Sequence, residues 1–237
     1  MKTRKSRPIA VYWINLDRST ERRKNMLTLL KDPTFDGMYK HRVKAIDGNN
    51  VTKEELKSTF ENVGEKQTVK EYCCLLSHIK ALRQFLKSSN SIALILEDDV
   101  CLDYKPYWKE TIKDCISNAP NDWELLQLSY MLDPNKTIPT KMYTNAKDFL
   151  YYGAAAYIVN KKGIRNFLKK SLFDTGINHV TDEYLYLKMN TYLYKYPFFT
   201  YTAKDSELHP HHIKKIHLPS KKRLEEYLST RHLPLKQ

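Results

Sequence analysis

The sequence predicts one α/β domain with a mostly parallel central sheet flanked by helices. Three observations carry this. Short apolar runs rich in β-forming residues alternate with helical patterns. The 237-residue chain is 41% hydrophobic and 12% aromatic, enough for a sizeable core. Six glycines and ten prolines, with no repeat or low-complexity tract, leave no room for a long flexible linker.

Ile9 to Leu16 (IAVYWINL) is mostly apolar and bounded by Pro8 and Asp17, the pattern of a buried strand. Asp17 or Ser19 can cap the helix that follows, whose Met26, Leu27 and Leu30 fall on one face. His41 to Ile46 reads as a second strand, closed by the turn Asp47-Gly48. Thr52-Lys53-Glu54-Glu55 has capping-box spacing and opens a short polar helix. Thr68-Val69-Lys70-Glu71 is a stronger box, leading into Leu75, Ile79, Leu82 and Leu86 at helical spacing. Ile92 to Leu96 is the next strand, and three acids, Glu97-Asp98-Asp99, stand at its end. Tyr104 to Ser117 is expected to be helical, and Glu124 to Ser129 and Tyr152 to Val159 to be buried strands. A helix over Lys162 to Lys170, another from Thr181, a strand over Leu193 to Thr202 and a basic amphipathic helix over Lys221 to Ser229 complete the chain. Ligands of such sheets gather outside the carboxyl ends of strands. Asn15-Leu16-Asp17-Arg18 and the acidic triplet mark two such ends on one edge.

The formal charge of +13 predicts attraction to anions: nucleic acid, nucleotides, phosphorylated sugars or an acidic membrane surface. A lysine-rich, well-solvated surface is an equally ordinary reading. Both ends are enriched in basic residues, four in Met1 to Arg7 and five in Lys214 to Arg223, and can rest on anionic lipid or polymer. No RNP motif or helix-turn-helix accompanies the charge, so nucleic acid is not the expected partner. Cys73, Cys74, Cys101 and Cys115 form no CxxC pair, which favours reduced thiols. The N-terminus lacks a signal-peptide pattern and no apolar run approaches a membrane span. The expectation is a cytoplasmic protein, at most peripheral to a membrane.

Like charges side by side repel, so the triplet after an apolar strand asks for a cation. Glu97 and Asp99 are one residue apart, so an extended backbone points them the same way. Two carboxylates facing together suit a hard divalent cation such as Mg²⁺ or Mn²⁺. A metal bridging a pyrophosphate would neutralise charge on a leaving group. The plainer alternative is that acids simply end a strand.

INLDRSTERR (from Ile14), Ala45-Ile46-Asp47-Gly48, CLLSH (Cys74 to His78), LILEDDV (from Leu94) and GAAAYIVNKKG (from Gly153) occur in order. Together, from about Val11 to about Asp205, the chain resembles the glycosyltransferase family 25 domain. That family includes bacterial lipooligosaccharide galactosyltransferases and collagen hydroxylysine galactosyltransferases. The resemblance implies a GT-A, Rossmann-like fold, a nucleotide-sugar donor (usually a UDP-sugar), dependence on Mn²⁺ (or Mg²⁺) and transfer with inversion. Glu97-Asp98-Asp99 would then serve as the DxD-type motif: Glu97 and Asp99 toward the metal, Asp98 toward the donor sugar or ribose. Asn15, Asp17 and Arg18 match the strand-end motif beside the nucleotide, with Asp47, Ser77 and His78 completing the donor-binding set. Arg18, Arg22 or Arg23 could meet phosphate or base edges, although a solvated helix face is the plainer role for Arg22 and Arg23.

The sequence also departs from the family. A glycine-rich GEIGC-type lead is replaced by Lys70-Glu71-Tyr72-Cys73-Cys74, which keeps open a catalytically weakened domain that only binds a glycan or partner. Glu71 is retained, but its place in the capping box favours a structural role. For His78, a structural and a functional role stand level.

Inverting transfer needs a base to take the acceptor hydroxyl's proton. His179 to Leu185 resembles the family's later PVD-type segment, which makes Asp182 the base or an acceptor-orienting group, with Glu183 as the alternative. Both acids would also suit the first turn of a helix. His209 or His211 is expected to close the metal shell, against the plainer reading of a solvated basic tail. Tyr151, Tyr152 or Trp13 could stack on a sugar, although core packing is commoner for aromatics at strand positions.

The reading is a metal-dependent inverting glycosyltransferase moving galactose or glucose from a UDP-sugar to a hydroxyl of a glycan, lipooligosaccharide or collagen-like protein. Residues 1–205 are expected to form the catalytic domain and 206–237 a basic segment packed on it or extending it.

Overall fold

A computed structural model describes residues 9–59, 62–63, 67–171, 176–177, 180–202 and 212–232. Its strands are β1 (Ala10–Asn15), β2 (Tyr39–Lys44), β3 (Asn62–Val63), β4 (Ile92–Glu97), β5 (Val100–Cys101), β6 (Leu125–Gln127), β7 (Tyr143–Asn145), β8 (Ala156–Asn160), β9 (Gly176–Ile177), β10 (Thr191–Tyr194) and β11 (Thr200–Tyr201). Its α-helices are α1 (Thr20–Leu29), α2 (Lys53–Thr59), α3 (Val69–Lys87), α4 (Ile112–Ser117), α5 (Lys161–Ser171), α6 (Thr181–Lys188) and α7 (Leu218–Ser229). A seven-stranded sheet runs β2-β1-β4-β8-β6-β10-β7, with β8 and β7 reversed and the other five strands pointing one way.

The sheet is covered on both faces, which is why its strands read as continuous apolar runs. Along β1, Tyr12 and Ile14 join one core with α3, α5 and α6, while Val11 and Trp13 join the opposite core. Ile95 and Leu96 of β4 divide in the same alternating manner. Among the described residues no helix is long and apolar enough to cross a membrane. All four cysteines are free.

Local signals succeeded where they were strong. Thr68 and Glu71 form the capping box of α3, with the Thr68 backbone N–H donating to Glu71 Oε2 at 2.6 Å. Thr52 and Glu55 make the same exchange at α2. At α1 the expectation fails: the Ser19 side chain makes no cap bond, and Asp17 is drawn to Arg42 and Lys44 instead.

Prolines break two of the expected elements. Over Tyr104 to Ser117 the chain makes only a 3₁₀ turn (Lys105–Tyr107) before α4 restarts on a Thr111–Asp114 capping box. Pro106 suits the first turn of a helix but not its interior. Over Leu193 to Thr202 the strand stops at Tyr194. Pro197 cannot donate to a ladder, Phe198 and Phe199 drop into the core, and β11 pairs with β5 in a separate ribbon. The strand expected from Tyr152 starts only at Ala156 and runs antiparallel to β4.

At the C-terminus a π-helical turn (Ile213–His217) leads into α7, whose Leu224 and Leu228 pack with Tyr104, Tyr130 and Leu193. The expected division at residue 205 lies outside the described residues.

Candidate active site

Parallel pairing of β1 and β4 sets Ile14 opposite Glu97, so Asn15 and the acidic triplet share one edge of the sheet. Two clefts open there. The first, about 160 Å³, is bounded by Asn15, Arg18, Lys70, Ser77, His78 and the triplet. The second, about 530 Å³, shares Cys74, Glu97 and Asp99 with it and extends to Tyr152, Asp182 and Glu183.

The three acids have different surroundings. Asp98 lines only the first cleft, and both its oxygens are engaged. It accepts from Asn15 Nδ2 at 2.6 Å and from Arg22 Nη1 at 2.9 Å. Burial raises its pKa against those two partners. Asp99 has Arg22 at 3.9 Å, yet its Oδ1 is buried with no hydrogen-bond partner. Burial beside Glu97 pushes its carboxyl up to about 7. Glu97 Oε1 lies 3.2 Å from His78 Nε2, and His78 Nδ1 lies 3.0 Å from the Tyr157 hydroxyl.

Around the first cleft, Arg18 Nε donates to Asp47 at 2.7 Å and holds that carboxyl below its ordinary value. Ser77 Oγ donates to the Cys73 carbonyl and accepts the Ile46 N–H, tying α3 to the loop after β2. Gly48 lies against α3 so closely that a Cβ there would stand 2.9 Å from Lys70 Cα. Asp17 is not in this wall. It is half-exposed, paired with Arg42 at 2.6 Å and Lys44 at 2.7 Å, and drawn down to about 2 by those hydrogen bonds.

In the second cleft Asp182 is 8% exposed at the start of α6. Its Oδ2 accepts the Gly153 N–H at 2.6 Å and its Oδ1 the Glu183 N–H at 3.0 Å. Burial raises its pKa against these bonds. The Gly153 carbonyl is fixed by the Tyr186 hydroxyl at 2.8 Å and by Gln127 Nε2 at 3.1 Å. Tyr152 presents a partly exposed ring here, whereas Tyr151 and Trp13 are buried in the core.

His209 and His211 lie outside the described residues. Their neighbour His212 lines the second cleft, as does His217, whose Nδ1 stands 3.0 Å from the Tyr201 hydroxyl. Asp133, His217 and Tyr201 were not singled out from the sequence. They stand on the loop between β6 and β7, on the π-helical turn before α7 and on β11, and long-range packing that no local pattern encodes brings them to the cleft. Cys74 could have been found, since it stands four positions before His78 in CLLSH.

The sequence profile of the family described as glycosyltransferase family 25 (LPS biosynthesis protein) matches residues 9–185. A comparison with curated proteins gives no match. Among solved structures, the chain is similar to a glycosyltransferase involved in the glycosylation of the major capsid of PBCV-1. That likeness has 11% identity over 92% of this chain and 99% of the other, with a TM-score of 0.42. The apo-form glycosyltransferase GlyE of Streptococcus pneumoniae TIGR4 aligns at 7% identity over 78% of this chain and 45% of its own, TM-score 0.38. The inositol-1-phosphate CTP transferase of T. maritima aligns at 11% identity over 85% and 74%, TM-score 0.34.

Proposed function

The chain belongs to glycosyltransferase family 25, and on that premise we propose that it transfers a hexose, with inversion, from a UDP-sugar to a hydroxyl of a glycan or glycosylatable protein. The observation that carries this reading is the meeting of two clefts at Glu97 and Asp99, with the buried Asp182 in the wall of the second.

The residues present fit a hard divalent cation, Mn²⁺ or Mg²⁺. Asp99 has a buried oxygen without a partner, and it lies beside a second carboxylate that raises its pKa. A cation relieves both conditions, and Glu97 and Asp99 would hold it. Bound there, it would neutralise charge on the departing diphosphate. Asp98 serves differently. Saturated by Asn15 and Arg22, it positions the turn that carries its neighbours.

The first cleft takes the donor. Arg18 and Lys70 place cationic groups at its wall, and the Ser77 bonds hold the loop of Asp47 and Gly48 in place. The second cleft takes the acceptor, with the ring of Tyr152 as a surface on which a sugar can stack. Asp182 receives the acceptor's proton. Its raised pKa makes it a stronger base than an ordinary carboxylate, and its two backbone N–H donors fix the direction in which it points.

The test is nucleotide release from a panel of UDP-sugars, with and without EDTA, on the wild type and Asp99→Asn. Release from one preferred donor that EDTA abolishes, and that falls at least ~100-fold in the variant, is the expected result. Absence of cation-dependent release or binding with every donor overturns the reading.

A further inference from the structure

Two side chains at the junction of the clefts, Cys74 and His78, take no part in the chemistry above, and they meet Glu97, which does. Cys74 and His78 stand at i and i+4 on α3, so they project from one face of the helix. Glu97, ending β4, meets them there. One ligand atom from each of the three lies within 4.8 Å of the other two. His78 Nε2 and Glu97 Oε1 are 3.2 Å apart. With metal–ligand bonds of ~2.0–2.2 Å, a tetrahedral zinc site sets a nitrogen and an oxygen ligand ~3.4 Å apart. One edge of such a site therefore has its spacing already.

The surroundings match as well. Metal-binding imidazoles are held by a partner on the far ring nitrogen. His78 Nδ1 has one in the Tyr157 hydroxyl at 3.0 Å, on a ring with no exposure. Cys74 and Glu97 both face the clefts, which leaves a fourth position open to an incoming ligand.

We propose that Cys74, His78 and Glu97 form a second metal site, suited to Zn²⁺ and separate in chemistry from the all-oxygen pair of Glu97 and Asp99. Thiolate and imidazole select Zn²⁺ over Mg²⁺ or Mn²⁺, which take oxygen ligands. Binding releases the Cys74 thiol proton to solvent and involves no redox change. Glu97 belongs to both sets, so zinc removes one carboxylate from the harder cation. Inhibition of transfer by Zn²⁺ follows, and that consequence alone rests on the proposed function.

X-ray absorption of the full chain with one equivalent of Zn²⁺ tests the site directly. One sulfur at ~2.3 Å with nitrogen and oxygen ligands at ~2.0–2.2 Å is expected. A shell without sulfur overturns the proposal. Co²⁺ in place of Zn²⁺ should give a thiolate-to-metal charge-transfer band, lost in Cys74→Ser and kept in Cys101→Ser, whose sulfur sits on β5. A band that persists in Cys74→Ser, or vanishes in Cys101→Ser, also overturns it. Both readouts need neither donor nor acceptor, so they stand or fall apart from the transfer reaction.

Discussion

Asp98 and Asp99 are adjacent, yet one is saturated with donors and the other keeps an oxygen without a partner. That three acids would gather at an apolar strand end was legible in the sequence. Strand alternation also set Glu97 and Asp99 apart from Asp98; what Asp98 meets was not legible, because Asn15 and Arg22 reach it from 83 and 76 residues away. The consequence for pH has a definite sign. Asp99 is raised from 3.8 to about 7, so across that window the unfolded chain has ionised this group and the folded chain has not. Its contribution to the stability of the cation-free protein is present at low pH and lost as pH rises through about 7. A cation needs the ionised form, so Mn²⁺ should raise the melting temperature markedly at about pH 8 and little at about pH 5.5. Thermal scans at both values decide it, and equal shifts would remove Asp99 from the ligand set. Asp182→Asn retains one acceptor oxygen but turns an amide toward one of the two backbone N–H groups now bound. We expect a loss of ~1–3 kcal/mol in urea unfolding and a fall of ~10²–10⁴ in the transfer rate. Full activity in a folded variant would hand the proton transfer to Glu183.

At the scale of elements, signals confined to a few residues were legible. The boxes at Thr52 and Thr68 and the alternation within β1 and β4 need only neighbours in sequence. The reversal of β8 was hidden because its apolar run satisfies a buried strand in either direction. Its late start has a local cause in Gly153, whose φ of +119° lies outside the range of L-residues. A Cβ at Gly153 would also approach Tyr130 Cα to 3.2 Å. Gly153→Ala should therefore destabilise the fold by ~1–3 kcal/mol. It should also depress transfer beyond what the lost stability explains, since the Gly153 N–H holds Asp182. Activity per folded molecule, with the folded fraction taken from circular dichroism, separates the two effects. Unchanged specific activity would show that the base does not depend on this loop.

Across the whole molecule, long-range bonds hold the C-terminal segment, whose start lines the second cleft with His212, Ile216 and His217. Ser220 Oγ accepts the Leu132 N–H at 2.7 Å. Arg231 donates to both Glu110 oxygens at 2.9 and 3.1 Å and lies 3.5 Å over the Tyr196 ring. The apolar spacing of residues 221–229 was enough to expect a helix there, but a helix stripe carries no address for the surface it covers. Arg231→Lys loses the planar fork and the stacking, and a drop of ~1–3 kcal/mol in urea unfolding is expected. An unchanged midpoint would show that Arg231 adds nothing to the attachment made by Ser220, Leu224 and Leu228. At one strand end, Glu97 and Asp99 are at once a wall of the first cleft and of the second. If the proposed function holds, a nucleotide diphosphate seated on one side completes the surface on which the acceptor rests, and we expect donor to bind before acceptor, with the nucleotide leaving last. UDP should accordingly inhibit competitively against the UDP-sugar and non-competitively against the acceptor, and the opposite pattern would mean that the acceptor enters first.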